Sequence, residues 1–146
     1  MIKRNRLFIY ILGGFLFSLD QVLKYTARTN PEISYVWKKF IGWEYFANPG
    51  IAFSIPIPNS IIIFLTPLII LALSIILIRN KTTNIHLHAG IVFIILGAVS
   101  NFVDRVLFDI TIDYLRIFTS VINLADLMIV VGVILSLKQP KNKAQQ

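Results

Sequence analysis

Residues 97–129 read GAVSNFVDRVLFDITIDYLRIFTSVINLADLMI, and the rest of the chain is organised around them. Four of the seven acidic residues of the protein lie in this stretch: Asp104, Asp109, Asp113 and Asp126. Apolar runs long enough to cross a bilayer lie on both sides, so we expect at least two of these acids at or below a membrane surface. An ionisable side chain at mid-bilayer costs about 2.5 to 3.5 kcal/mol on insertion scales, and less near the interface. Such residues usually serve a function.

The composition is that of a membrane protein. Of the 146 residues, 56% are hydrophobic and 14% are charged, and the mean hydropathy is +0.75, which is too apolar for a soluble domain of this size. The net charge is +7, and eight of the 14 basic residues fall in three clusters without any acid: Lys3, Arg4 and Arg6; Arg79 and Lys81; Lys138, Lys141 and Lys143. This distribution follows the positive-inside rule and does not indicate a nucleic-acid surface. The absence of cysteine excludes disulfides and thiolate sites.

Four apolar segments have about the length that a hydrocarbon core of about 30 Å requires. They run roughly over residues 7–26, 60–78, 87–106 and 118–137. An even number of spans places both termini on one side, and the basic clusters make that side cytoplasmic. Pro67 predicts a kink in the second segment. No small-x-small cleavage site follows the first segment, so we expect it to be retained as a span.

The two outer connections differ in composition. Residues 28–59 contain four prolines, two glycines and seven aromatic residues. Alternation in ISYVWKKF and WEYFANPGIAFSI predicts a small sheet, and its aromatic residues suit the headgroup level, where it would face a lipid-borne partner. Residues 107–119 form a shorter connection, which places Asp113 just outside the third span.

Polar residues recur at helical spacing within the spans. Asp20 and Lys24 are four apart with the acid first, which is the favourable order for an ion pair. Asn101, Asp104 and Arg105 share one face of the third span. Both patterns also fit structural roles, an ion pair that anchors a helix end and a polar seam between helices.

Asn123 and Asp126 lie three apart in the fourth segment. If a helix begins near Phe118, Asp126 lies about eight residues, or roughly 12 Å, along it. No basic residue follows in this span before Lys138, so the carboxyl group of Asp126 needs a partner from elsewhere in the chain. A second acid would let the two carboxyl groups share one proton.

Two carboxyl groups that hold one proton form the acid–base pair that activates water against a peptide carbonyl. Spacing does not identify the second member, because Asp104, Asp109 and Asp113 all fit on composition. A serine paired with Lys24 is a weaker alternative. The two histidines lack the spacing of a zinc protease helix, and we expect both to be solvated loop residues: His86 and His88.

Five short motifs follow one another along the chain: LDQVLK at 19–24, NPGIAFS at 48–54, GAVSNFVDR at 97–105, TIDY at 111–114 and NLAD at 123–126. Together with four spans, they closely resemble lipoprotein signal peptidase, or signal peptidase II, a family of bacterial inner-membrane aspartic peptidases. The five motifs in this order are far more specific than any one of them.

The resemblance implies a fold and a reaction. The fold is a membrane all-α bundle of four transmembrane helices in a single integral membrane domain, residues 1–146. It carries a small periplasmic β-cradle, which agrees with the aromatic loop of residues 28–59, and a short, mobile periplasmic helix, which agrees with the connection of residues 107–119. The reaction removes signal peptides from prolipoproteins that carry diacylglyceryl-cysteine, with cleavage on the N-terminal side of that cysteine.

The expected setting follows from the same resemblance. The enzyme would be a monomer in the bacterial inner membrane, with both termini cytoplasmic and its active site near the periplasmic face. Its partners would be prolipoprotein substrates and membrane lipid, and not nucleic acid. It would need neither a metal nor a cofactor.

The motifs also imply residue roles. The family patterns V-[VI]-D-F and F-N-x-A-D make Asp113 and Asp126 the catalytic pair, and N-x-x-D-R makes Asp104 structural. Other matched positions would line the pocket, hold the substrate or support the site: Asp20, Lys24, Asn48, Gly50, Gly97, Asn101, Arg105, Asn123 and Ala125. Departures from the family patterns leave both acids intact but affect the shape of the pocket: Leu96 and Ser100 for glycines, Tyr114 and Ile122 for phenylalanines, and Leu127 for serine.

Two other functional classes fit part of the pattern. A small proton-coupled transporter also has few spans and a buried carboxyl group, but that group would lie near the bilayer centre. A structural assembly subunit would explain asparagines between helices but not the isolated Asp126.

Overall fold

The apolar segments fold as helices, and the polar connections between them fold as strands. The computed structural model of the chain describes residues 2–38, 40–50, 57–79 and 84–138. The elements in order are α1 (Ile2–Thr29), β1 (Tyr35–Trp37), β2 (Ile41–Asn48), α2 (Asn59–Arg79), α3 (Ile85–Phe108), β3 (Thr111–Ile117), β4 (Ser120–Ile122) and α4 (Leu124–Leu137). Residues 51–54 of the NPGIAFS motif, and Lys81, Lys141 and Lys143 of the basic clusters, lie outside the described ranges.

Three helices, α1, α2 and α3, are long and apolar enough to cross a membrane, whereas α4 is a shorter apolar helix of 14 residues. Pro67 lies within α2 and does not divide it into two helices. Large hydrophobic side chains of α1, α2 and α4 point outward, among them Phe8, Phe15, Phe64, Leu68, Val130 and Ile134. Contiguous apolar faces of this extent are typical of surfaces that lipid covers.

The central helix is α3, which packs against α1, α2 and α4. Its first half buries apolar residues, and Val92 and Phe93 form a core cluster with Ile9 of α1. Its second half buries polar residues instead, from Ser100 to Arg105. The expected shared face of the third span is therefore observed, and it points into the protein.

Glycines let α3 and α4 approach closely. A Cβ atom added at Gly132 would lie 2.7 Å from the carbonyl oxygen of Gly90, and one at Gly97 would lie 2.6 Å from the carbonyl oxygen of Ala125. Neither position has room for a side chain without a shift of the backbone. Gly97 thus sets the helix separation directly beside the first turn of α4.

The four strands form one antiparallel sheet in the order β1-β2-β3-β4. β2 comes from the first connection and β3 from the second, so the sheet joins two distant parts of the chain. The register places Phe46 opposite Asp113 and Asn48 opposite Thr111, after a bulge between Trp43 and Phe46. The sheet therefore brings Asn48 beside the proposed catalytic acid of β3.

The second connection differs from the sequence prediction. The prediction of a short helix in residues 107–119 is wrong, because these residues contain the end of α3 and strand β3. The described residues between α1 and α2 form strands and turns. Ile110, Ile112 and Ile117 alternate with polar residues in this stretch, which favours a strand.

The fourth apolar segment likewise does not begin as a helix at Phe118. Phe118 adopts a positive φ of 53° in the turn between β3 and β4, and α4 begins only at Leu124. Asp126 therefore lies in the first turn of α4, and not about eight residues along it. The structure thus places this acid at a helix end.

We predict that Gly132→Ala lowers the stability of the protein, because the added methyl group must push α3 and α4 apart. Overpacking of this kind costs about 1–3 kcal/mol. The matched control is Gly14→Ala in α1, where an added Cβ meets no atom within 4 Å and where alanine favours the helix by up to about 1 kcal/mol. Thermal unfolding in detergent should show opposite signs for the two variants; a stabilised Gly132→Ala would contradict the packing described here.

Candidate active site

A buried lysine lies where α1 and α3 meet. The Nζ atom of Lys24, whose residue is 1% exposed, lies 3.0 Å from Asp20 Oδ2 and 2.8 Å from Asp104 Oδ2. It also donates to Asn101 Oδ1 at 2.8 Å. The predicted ion pair between Asp20 and Lys24 thus forms, but within the protein and not at an exposed helix end. One cation joined to two carboxylates and an amide oxygen leaves no donor of this ammonium group unpaired.

Asp20 connects this lysine to the first turn of α4. Its Oδ1 atom accepts hydrogen bonds from the backbone N–H groups of Leu124 and Ala125, at 3.0 and 3.2 Å. The first N–H groups of a helix have no partner within it and attract a negative charge. A carboxylate of α1 therefore caps α4, and Ala125, which is fully buried, packs where this contact is made.

Two hydroxyl groups that the sequence analysis treated only as departures complete the contacts of Asp20. Tyr114 donates to Oδ1 at 2.7 Å, and Ser100 donates to Oδ2 at 2.5 Å. Both residues are fully buried. Their replacement of the family's phenylalanine and glycine was visible in the sequence, but their common partner lies 80 or more positions away. Nothing in the local sequence indicated this partner.

Asp113 lies beyond this cluster and is also fully buried. Asn48 of β2 donates to its Oδ2 atom at 2.8 Å, and Asn123 donates to its Oδ1 atom at 2.7 Å. The amide oxygen of Asn48 accepts from the backbone N–H of Gly50 at 2.9 Å, which closes a turn directly after β2. Each carboxyl oxygen of Asp113 therefore has an amide donor.

Amide groups connect the two predicted catalytic acids. Asn123 also donates to Asn101 Oδ1 at 3.1 Å, and Asn101 donates to Asp126 Oδ1 at 2.8 Å. Asn123 and Asp126 form a capping box at the start of α4, with the N–H of Asp126 bonded to Asn123 Oδ1 at 2.8 Å. The same asparagine thus begins the helix that carries one acid and binds the other acid. Its spacing from Asp126 was noted in the sequence, but its role as a helix cap was not.

Arg105 completes the surroundings of the two acids. Its guanidinium group donates to the carbonyl oxygens of Gly50 at 3.1 Å and Asn101 at 3.4 Å. It therefore ties the turn after β2 to α3, and it places a positive charge near both acids.

The surroundings of Asp113 raise its pKa to about 7. Burial is the main cause, because it disfavours the charged form, and the negative charge of Asp126 adds to the effect. The amide donors of Asn48 and Asn123 act in the opposite direction but do not outweigh burial. A carboxyl group of this kind exchanges its proton near neutral pH, as a general acid or base must.

A cavity of about 410 Å³ opens beside Asp126. Its walls come from the β3–β4 hairpin and one face of α4, and its lining is Ile117, Phe118, Thr119, Ser120, Ile122, Asp126, Leu127 and Val130. Asp126 is the only ionisable side chain among these. The volume lies within the range of about 300–1,000 Å³ that is usual for small-ligand sites.

The structure separates the acids that spacing could not distinguish. Asp109 is exposed at the C-terminus of α3, where Asn59 donates to its Oδ1 atom at 2.8 Å. Asp104 is buried, but it contacts Lys24 and the backbone N–H of Ile112 at 3.1 Å. None of these three acids makes a direct hydrogen bond to Asp126 in the described part of the chain. Asp113 is linked to it through the amides of Asn123 and Asn101, and Asp104 through Lys24 and Asn101.

The structure also bears on the two alternative chemistries. Ser100 Oγ lies 3.3 Å from Lys24 Nζ, but the serine hydroxyl group donates to Asp20 Oδ2 and not to the lysine. The prediction that both histidines are solvated loop residues is wrong: His86 is exposed and His88 is buried, and both lie on α3, with His88 packed edge-on against Tyr10. Within the described ranges, no group of three or more His, Asp or Glu side chains could hold a metal ion.

This chain is similar to known proteins over most of its length. A model of the family described as signal peptidase (SPase) II matches residues 12–139. The lipoprotein signal peptidase of Listeria welshimeri is 28% identical over 140 residues, which cover 90% of this chain and 91% of that protein. That of Enterococcus faecalis is 30% identical over 133 residues, 86% of this chain and 82% of that protein. A solved structure, titled as a bacterial membrane enzyme at 2.3 Å resolution, has a TM-score of 0.80 at 27% identity and covers 97% of this chain and 92% of its own.

We predict that Tyr114→Phe destabilises the protein by about 1.5–3 kcal/mol, the usual worth of a hydrogen bond to a charged group. The change removes one donor to Asp20 and the acceptor that the N–H of Leu124 shares. Tyr25→Phe, at a site where the tyrosine is 63% exposed, is the matched control and should leave stability unchanged. Equal thermal unfolding temperatures for both variants would contradict the role of Tyr114 in this cluster.

The raised pKa of Asp113 predicts a pH dependence of stability. An unfolded aspartate has a pKa of about 3.9, whereas that of Asp113 in the folded protein is about 7. Between these values the folded chain holds a proton that the unfolded chain has released, so stability falls as the pH rises through this window. Thermal unfolding temperatures measured across the window should fall less steeply in Asp113→Asn than in the wild type. Asp109→Asn should keep the wild-type slope, and equal slopes for all three proteins would contradict the shift.

Proposed function

Because this chain belongs to the signal peptidase II family, a family of proteases, we propose that it removes signal peptides from prolipoproteins whose acceptor cysteine carries diacylglycerol. Cleavage would occur on the N-terminal side of that cysteine. The names of its relatives, lipoprotein signal peptidases, support this class of substrate. Asp113 and Asp126 would be the catalytic acids.

The observation that carries the proposal is the link between Asp113 and Asp126, which the side-chain amides of Asn123 and Asn101 form. Two carboxyl groups thirteen positions apart are linked because Asn123 binds one of them, caps the helix of the other, and donates to Asn101, which binds that other acid. The charge of Asp126 contributes to the raised pKa of Asp113, so the two groups are close enough to influence each other's protonation. Such coupling favours a state in which the pair holds one proton.

The two acids would have different tasks, because their accessibility differs. Asp126 lines the cavity, so it would take a proton from the attacking water. Asp113, with its pKa near 7, would hold a proton and polarise the scissile carbonyl group. When the tetrahedral intermediate collapses, a proton passes to the leaving nitrogen and the carboxyl groups exchange roles. The products are a free carboxylate on the signal peptide and a free amino group on the lipidated cysteine.

The apolar cavity supports a lipid-bearing or hydrophobic substrate. Its walls are mainly aliphatic and aromatic, and among the described lining residues Asp126 is the one with an ionisable side chain. A diacylglyceryl chain or an apolar segment of a signal peptide would gain by leaving water for such a surface. Because Asp126 lies at the edge of this cavity, a substrate whose apolar part fills the cavity would have its scissile peptide bond close to the acid.

The membrane placement that fits this reaction has four spans with both termini cytoplasmic in the bacterial inner membrane. Basic residues near the start of α1 and at the ends of α2 and α4 support the cytoplasmic assignment: Lys3, Arg4, Arg6, Arg79 and Lys138. The sheet and the acids would then lie at the periplasmic face. Asp126 in the first turn of α4 fits this location better than the mid-bilayer position that a proton-coupled transporter would need.

We expect Asp113→Asn and Asp126→Asn each to abolish cleavage of a purified, diacylglyceryl-modified precursor, because neither amide can exchange a proton as the acid does. The wild type should cleave this precursor and leave its unmodified form uncut. Product formation can be followed by gel shift, and the new N-terminus can be identified by mass spectrometry.

Asp109→Asn is the matched control, since it makes the same chemical change at an exposed acid that contacts Asn59. It should cleave at the wild-type rate. Circular dichroism should show that all three variants keep their helix content. Substantial cleavage by either Asp113→Asn or Asp126→Asn would refute the acid pair, and equal cleavage of both precursors would refute the lipid requirement.

A further inference from the structure

Thr111 has a buried hydroxyl group without a partner. The residue is 2% exposed, and its Oγ1 atom makes no hydrogen bond within the part of the chain that the structure describes. Buried polar groups in native proteins are nearly always paired, because an unpaired one destabilises the fold. An unpaired hydroxyl group on the strand that carries Asp113 therefore needs a physical explanation.

Thr111 belongs to the same side of the sheet as Asp113. The two residues are two positions apart on β3, so their side chains leave the strand on one face, about 7 Å apart along it. Thr111 is also directly opposite Asn48 on β2, whose amide donates to Asp113. We call this side of β3 and β2 the catalytic face.

The other polar side chains around the catalytic face are occupied. Asn48 bonds to Asp113 and Gly50, and Asn123 bonds to Asp113 and Asn101. Arg105 is bonded to two carbonyl oxygens. Of the buried side-chain polar atoms of this face that the structure describes, Thr111 Oγ1 is the one without a partner.

A substrate must reach this face for the proposed reaction to occur. Asp113 is as inaccessible as Thr111 in this structure, at 0% and 2% exposed. Any displacement that lets a scissile peptide bond reach Asp113 must uncover the face that both side chains share. The bound peptide then brings N–H and C=O groups into a buried site, where each needs a hydrogen-bond partner.

We propose that Thr111 is a substrate-binding residue, whose hydroxyl group hydrogen-bonds a backbone peptide group of the signal peptide close to the scissile bond. A hydroxyl group both donates and accepts, so it can pair with either an N–H or a C=O group. The family pattern V-[VI]-D-F has valine at this position, which has nearly the same shape. A side chain of that shape would fill the same space, and the hydroxyl group forms no bond within the fold, so we assign it to binding and not to folding. This inference rests on the proposed function.

The test compares Thr111→Val with Thr111→Ser and the wild type on the diacylglyceryl-modified precursor. The loss of one neutral hydrogen bond should lower kcat/KM of Thr111→Val about 3- to 10-fold. The change should appear in KM, with kcat nearly unchanged, because the bond lies outside the reacting atoms. Thr111→Ser keeps the hydroxyl group and should keep the wild-type KM.

Thr111→Val should raise thermal stability although it weakens substrate binding, because valine removes a buried unpaired hydroxyl group. The melting temperature of Thr111→Val should rise by about 2–4 °C.

Thr29→Val is the control, because Thr29 is exposed and its hydroxyl group donates to the carbonyl of Tyr25 in its own helix. It should leave KM unchanged. A wild-type KM for Thr111→Val would overturn the inference. A lower melting temperature together with a lower kcat/KM would also overturn it, because it would show a structural role. An effect confined to precursors with a polar side chain near the cleavage site would overturn the backbone assignment.

Binding measurements separate this inference from the proposed function. The dissociation constant of the precursor can be measured in the Asp126→Asn background, with and without Thr111→Val. Weaker binding of the double variant supports Thr111 even where no variant cleaves, and equal binding overturns it. Failure of the wild type to cleave the precursor contradicts the proposed function and leaves this binding comparison valid.

Discussion

The structure depends on the neutralisation of one buried ammonium group. Lys24 lies almost without solvent contact between Asp20 and Asp104. Removing an ion from water costs several kcal/mol, and removing one partner of a buried pair costs about 3–5 kcal/mol. Helices α1 and α3 must therefore keep the register that brings these three side chains together. Asp104 Oδ2 also accepts from the backbone N–H of Ile112 in β3, and Asp20 Oδ1 accepts from that of Leu124 in α4. The ion cluster therefore holds the elements that carry the two proposed catalytic acids.

This arrangement explains how a short helix and a short hairpin can hold two acids in place. α4 contributes only three fully buried residues, Ala125, Met128 and Gly132, and its first N–H groups are satisfied by Asp20 from another helix. Asn123 fixes the third N–H group and binds Asp113 at the same time. A shift of α4 would break bonds to α1, α3 and β3 together. The position of Asp126 relative to Asp113 is thus set by contacts from three elements and does not depend on the length of α4.

The sequence predicted what depends on local spacing and missed what depends on distant pairing. The apolar lengths predicted four spans, three of which are long helices in the structure, and the spacing of Asp20 and Lys24 predicted their ion pair. The predicted start of α4 was wrong because the residues from Phe118 to Ile122 are locally compatible with either a helix or a strand. Their pairing with β3 decides in favour of the strand, and local sequence does not show this pairing. Ser100 and Tyr114 could be seen only as departures, because their partner Asp20 is 80 and 94 positions away.

The two polar clusters of this protein differ in charge balance, and the difference fits their roles. Around Lys24, opposite charges are in contact, and both carboxyl oxygens of Asp20 accept hydrogen bonds. Around Asp113, the hydrogen-bond donors are neutral amides. Burial and the nearby negative charge of Asp126 together outweigh these donors and raise the pKa of Asp113 to about 7. A group that exchanges protons in catalysis must be close in energy between its two states. The ion cluster around Lys24 thus holds α1, α3, β3 and α4 together, and the neighbouring Asp113 can exchange a proton without being the group that joins these elements.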